Sequence, residues 1–160
     1  MTDLDRYMGD TGQSGLLTRL TRVGLLLDAF QHRCLDEFGL RFIDFSVLRV
    51  LVLSGGTLTP SELAEITLRS TGGMTQIIDR LVADGLVRRT PDAADRRRVV
   101  IALTPKGRRL VAKAGTSYEA ERERVLGPLS NGELHEIDGA VRRLLELFET
   151  EAAAVQEAAS

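Results

Sequence analysis

Apolar residues recur at spacings of three and four through much of the chain, and the places where that rhythm stops mark its joints. Leu16, Leu20, Val23, Leu27, Phe30, Cys34 and Phe38 form one stripe, which predicts a long amphipathic helix closed by Gly39. Phe45, Leu48, Leu51 and Val52 predict a second helix that stops at Ser54-Gly55-Gly56. Thr59-Pro60-Ser61-Glu62 then reads as a helix start, with Thr59 as cap, Pro60 in the first turn and Glu62 closing a capping box. That short helix carries Leu63, Ala64 and Ile66 and ends near Leu68. Ser70 caps the next helix, whose inner face is Met74, Ile77, Ile78, Leu81 and Val82, with Gly85 as its end.

The period then changes from near four to two. Leu86–Thr90 and Arg98–Leu103 predict two strands, the second showing Val99, Ile101 and Leu103 on alternate positions. The polar run from Pro91 to Arg97 is the hairpin tip. Thr104-Pro105 opens a helix to about Leu126, before Gly127-Pro128, and Ser130 with Glu133 makes a second capping box. The last helix repeats Leu134, Ile137, Val141, Leu144, Phe148, Ala152 and Val155 as a heptad-like seam. Helix, tight turn, helix and hairpin is the order of a winged helix-turn-helix. The fold class expected is therefore mainly α with a small β wing, flanked by long helices.

Charge sharpens this picture. The 160 residues carry a net charge of only −2, but the distribution is uneven. Residues 69–109 hold ten Lys and Arg against four Asp, while the segments on either side are acidic. This basic block coincides with the second helix of the turn motif and with the hairpin, the two elements whose shapes suit a major groove and the neighbouring backbone. Aromatic residues are 4% and Trp is absent, which argues against a base-stacking platform for single strands. No apolar run is long enough for a membrane span, and the polar residues 1–14 read as a flexible N-terminal segment and not as a signal peptide. The single Cys34 excludes an internal disulfide, and the expected compartment is the reducing cytoplasm.

Three stretches resemble the MarR family of transcriptional regulators: Leu58–Ala64, Ile78–Arg89 and, most specifically, Asp95-Arg96-Arg97-Arg98 followed by a strand and Leu103-Thr104-Pro105-Lys106-Gly107. The resemblance implies a homodimeric DNA-binding regulator, expected to be a repressor, acting on double-stranded DNA at a pseudo-palindromic operator. It places one MarR-like domain at 15–160, with the winged helix-turn-helix at about 42–104 and dimerisation helices at about 15–39 and 105–156. It also implies a small aromatic or phenolic ligand that weakens DNA binding; Phe30, Phe42, Phe45 and Tyr118 are weak candidates to hold it.

The expected DNA-contacting residues are Arg69, Ser70, Thr71, Gly72, Gly73, Thr75, Gln76 and Arg80 on the recognition helix, and Asp95, Arg96, Arg97 and Arg98 on the wing. Gln76 can bond adenine bidentately, and Arg80 can read guanine or bind phosphate. Arg97 matches the family's minor-groove arginine and Asp95 the residue that orients it, while Arg96 and Arg98 suit phosphates. Gly72 and Gly73 weaken the helix start unless the backbone there approaches a phosphate; a delayed helix start is the alternative.

Other signals are weak. Cys34 lies on an apolar stripe without a local activating base, so packing is favoured over redox sensing. His32 and His135 lack partners at metal-ligand spacing, and neither metal nor cofactor is expected. Glu119, Glu121 and Glu123 read as a solvated acidic face. Ser70-Thr71-Gly72-Gly73 lacks the lysine of a phosphate loop. No arrangement of nucleophile and base suggests an enzyme. Two alternatives remain at this stage: a winged-helix protein-interaction module, and a redox-sensing regulator acting through Cys34.

Overall fold

The structure, a computed structural model, describes residues 12–92 and 95–158. Residues 1–11 of the expected N-terminal segment, and Ala93 and Ala94 of the expected hairpin tip, lie outside the described residues. The chain divides into two compact units, one up to Glu119 and one from Ala120.

In the first unit, α1 (Gln13–Leu35) begins three residues before Leu16, so Gln13 and Ser14 of the expected flexible segment are helical. Its end tightens into a 3-10 turn at Asp36–Phe38, and Gly39 closes it with φ +64°, the left-handed conformation expected of a glycine stop. Next come α2 (Phe42–Leu53), β1 (Thr57–Leu58), α3 (Pro60–Ile66) and α4 (Thr71–Ala83). They are followed by β2 (Val87–Pro91), β3 (Val99–Leu103) and α5 (Pro105–Leu126). Both strands of the hairpin are present, each starting one residue later than the period-two pattern suggested.

The wing is a three-stranded antiparallel sheet and not the two-stranded hairpin expected. Its order is β1-β3-β2, with Leu58 opposite Ile101 and Val87 opposite Leu103. Strand β1 has two residues, too few for any periodicity to reveal, and it ties the root of the wing to the loop after α2. The core lies among α2, α3, α4 and the sheet, where Phe45, Leu48, Leu51, Leu63, Met74, Ile78, Leu81 and Ile101 are fully buried. The inner face of α4 is therefore the one the spacing indicated.

At the root of α5, the Thr104 hydroxyl donates to the Gly85 and Leu86 carbonyls at 2.8 and 3.1 Å, and the Thr104 amide donates to Leu86 at 3.1 Å. The same hydroxyl accepts from the Gly107 amide at 3.0 Å, capping α5. This brings α5 so close to the turn after α4 that a Cβ on Gly107 would lie 2.0 Å from the Leu86 oxygen. Lys106 also donates to the Asp84 carbonyl at 2.7 Å, at the end of α4.

The α1 stripe is covered mainly towards its C-terminal end, with Leu20 half-buried further back. Cys34 is buried and Phe30 and Phe38 are half-buried, whereas Leu16, Val23 and Leu27 are exposed, as are Leu17, Leu25 and Leu26. The second unit holds the end of α5 and the 28-residue α6 (Asn131–Ala158). Ser130 and Glu133 form the expected capping box: the serine hydroxyl and amide donate to the Glu133 carboxylate at 2.7 and 2.9 Å. Of the α6 seam, Leu134, Ile137, Val141, Phe148 and Val155 are exposed, and Leu144 is half-buried. No described helix is long and apolar enough to cross a membrane.

Candidate nucleic-acid interface

The turn between α3 and α4 is built from local hydrogen bonds. Thr59 and Glu62 form the capping box that starts α3: the Thr59 amide and hydroxyl each donate to the Glu62 carboxylate at 2.7 Å. These donors, the backbone one foremost, hold the Glu62 pKa below its ordinary value. Helix α3 ends where the Arg69 amide donates to Ala64 at 2.9 Å and the Leu68 amide to Glu65 at 3.1 Å. This Schellman pairing requires a left-handed residue, and here that residue is Leu68 at φ +51°. The chain then turns into Ser70, whose hydroxyl accepts the Gly73 amide at 3.2 Å.

Because α4 starts at Thr71, directly after that cap, Gly72 and Gly73 sit inside its first turn and the start is not delayed. Arg69, Ser70, Thr71, Gly72, Thr75 and Gln76 are exposed, and Gly73 is half-buried. The Thr75 hydroxyl donates back to the Thr71 carbonyl at 3.0 Å, which leaves Gln76 as the longest exposed amide on this face. The sequence-predicted residues of the helix start thus share one polar surface.

Arg80 has a different setting. Its guanidinium grips Asp44 of α2 with two nitrogens, Nε to Oδ2 at 3.3 Å and an Nη to Oδ1. Asp44 is 4% exposed, the only buried charged residue among those described. It also accepts the Arg41 amide at 3.4 Å, capping α2. The sequence offered no sign of this pair, because its members lie 36 positions apart.

The wing tip is shaped by Asp95. Its carboxylate accepts the Arg97 amide at 3.0 Å and its carbonyl accepts the Arg98 amide at 2.9 Å. Asp95 therefore orients Arg97 through the backbone and not through the guanidinium. Arg96, Arg97 and Arg98 are all exposed. Arg89 of β2 reaches Asp79 of α4 at 2.5 Å, so the wing and α4 are joined by a charged contact as well as by the core.

The four aromatic ligand candidates do come together. Tyr118 of α5 meets Phe30 of α1 at a ring-centroid distance of 5.7 Å, and Phe45 and Phe42 of α2 at 5.5 and 6.3 Å. Beside them, Arg49, Val52, Leu53, Arg108, Val111 and Gly115 help line a cleft of about 220 Å³ between α2 and α5. Cys34 is a buried thiol. His32 is exposed, 3.7 Å from Asp28, and no group of three metal-ligating side chains occurs among the described residues.

Comparison with known proteins agrees with this geometry. A family model described as MarR family matches residues 38–98. The HTH-type transcriptional regulator PecS of Dickeya dadantii is 29% identical over 116 residues, covering 71% of this chain and 70% of that protein. The crystal structure of AbsC, a MarR family transcriptional regulator from Streptomyces coelicolor, superposes with a TM-score of 0.80 at 30% identity, covering 88% of this chain and 96% of that one. CouR from Rhodococcus jostii RHA1, solved bound to p-coumaroyl-CoA, gives a TM-score of 0.75 at 25% identity, covering 86% and 93%.

Proposed function

We infer, since the chain belongs to the MarR family of DNA-binding transcriptional regulators, that it works as a homodimeric repressor on a pseudo-palindromic operator in the cytoplasm. The observation that carries this reading is that the start of α4 and a run of three arginines on the wing are both exposed, on elements tied to each other by Asp79 and Arg89. Helix α4 enters the major groove, with Gln76 and Thr75 at base edges and Arg69, Ser70, Thr71 and the amide of Gly72 at the flanking backbone. Arg80, paired with Asp44, makes no DNA contact in this reading. Arg97 enters the minor groove from the Asp95 turn, and Arg96 and Arg98 meet phosphates.

Dimerisation is supported by the uncovered apolar faces of α1 and α6. Pairing two copies removes such surface from water at roughly 25 cal/mol per Å² and sets two recognition helices about 34 Å apart for successive half-sites. The aromatic cluster around Tyr118, and the ligand-bound state of CouR, support a small aromatic or phenolic effector that stabilises a dimer unable to span those half-sites. A duplex selection with the purified protein tests the reading. Enrichment of a palindrome is expected; recovery of random sequence would overturn it and favour a protein-interaction role.

A further inference from the structure

The pair formed by Asp44 and Arg80 has a use beyond stability. Burying a carboxylate costs several kcal/mol, and an apolar pair of similar size usually serves a core as well. What a bidentate pair adds is direction. The apolar contacts of α4, through Met74, Ile78 and Leu81, tolerate a small roll of the helix about its axis, because dispersion and burial are non-directional. A planar guanidinium held at two nitrogens does not. Gln76 lies at a radius of about 5–6 Å from that axis, so a roll of about 10° moves its end by roughly 1 Å, enough to spoil a base contact. Asp44 is itself fixed, since it caps α2 through the Arg41 amide and sits next to Phe45 in the core.

We propose that Asp44 is a positioning residue for DNA reading: through Arg80 it sets the roll of the recognition helix and thereby the sequence selectivity of the protein. The proposal rests on α4 being the reading element. Buried on α2, Asp44 acts through Arg80 and not by touching DNA, and the pair governs discrimination between sites more than attraction to the duplex.

The test uses the full chain, its selected operator and a random duplex at one salt concentration, with wild type, Asp44→Asn, Arg80→Lys and the double variant. Wild type must first prefer the operator; equal binding to both duplexes would overturn the DNA-reading assignment itself, and this proposal with it. Given that preference, each single variant is expected to lose about tenfold in operator affinity. Random-duplex affinity should stay within about twofold. The double variant should be no weaker than the singles, and a repeat selection should show relaxed preference only at bases facing α4. Thermal midpoints are measured alongside, because a purely structural pair would lower the midpoint and leave the operator-to-random ratio unchanged below it. Three results overturn the proposal: folded variants with the wild-type ratio, losses that multiply in the double variant, or equal losses on both duplexes. If Asp44→Asn does not fold, Arg80→Lys decides by the same ratio, since it keeps the charge and loses only the fork.

Discussion

Replacing Gly107 by alanine is expected to damage the protein more than a single added methyl group suggests. The new Cβ would lie 2.0 Å from the Leu86 oxygen and 2.9 Å from the Leu86 carbon. Both are backbone atoms that cannot rotate aside, so α5 must retreat by more than 1 Å to restore ordinary contact near 3.4 Å. That retreat breaks the hydrogen bond from the Thr104 amide to Leu86 and the hydroxyl hydrogen bond that Gly85 and Leu86 share, now 2.8–3.1 Å long. At about 1 kcal/mol for each of these two donors, the loss amounts to roughly 2 kcal/mol. Overpacking adds about 1–3 kcal/mol and the better helix propensity of alanine returns about 1 kcal/mol. The net expectation is a loss of about 2–4 kcal/mol, seen as a lower urea midpoint at unchanged slope and fixed protein concentration. Gly115→Ala is the control on the same helix: nothing lies within 4 Å of its added Cβ, so a gain of up to about 1 kcal/mol is expected. Equal stability of the two variants would refute the reasoning.

Four further outcomes are expected. Arg97→Ala should cost about 1–3 kcal/mol in operator binding with the melting curve unchanged, and unaltered affinity at fixed salt would remove Arg97 from the interface. Phe148→Asp places a charge on an already exposed position of α6, so it should leave the single chain folded while light scattering reports monomer in place of dimer. The Glu62 pKa is depressed by its Thr59 donors, so its stabilising effect is complete above the ordinary carboxylate range and lost as pH falls through the lowered value; the stability gap between wild type and Glu62→Gln should therefore close on acidification, and a gap that widened would contradict the capping box. Leu68→Gly relieves a left-handed leucine and should raise stability by about 0.5–1 kcal/mol in urea titration after the entropy cost of glycine.

What the sequence disclosed, and what it withheld, divides along a physical line. Caps and stops were legible because their chemistry is local: Thr59 with Glu62, Ser70 with Gly73, and Gly39 each satisfy backbone groups within a few residues. The inner face of α4 was legible because burial imposes a period. Strand β1 was not, since its partner, β3, lies more than 40 residues away. The Asp44–Arg80 pair and the contact of Gly107 with Leu86 were hidden for the same reason. The stripes of α1 and α6 were visible as faces, but periodicity does not say what covers a face, and in the single chain much of each remains open. On the wing, the orienting of Arg97 by Asp95 was expected from the sequence; that Asp95 does so through the Arg97 amide, and that a carboxylate occupies Arg80, was not.

The order of the small sheet has a consequence for how the protein behaves at high concentration. Its two outer strands are β1 and β2, and an outer strand offers unpaired amides and carbonyls to any passing chain. Strand β1, with two residues, is too short to template another strand. Strand β2 reads Val87-Arg88-Arg89-Thr90-Pro91; Arg88 repels a second copy of itself, Arg89 is paired with Asp79, and Pro91 has no amide to donate. The basic character of the wing therefore guards against aggregation. Variants that trade Arg88 and Arg89 for β-branched apolar residues should form oligomers that grow with concentration, and a loss of DNA binding in them would report strand-to-strand self-association as much as lost charge.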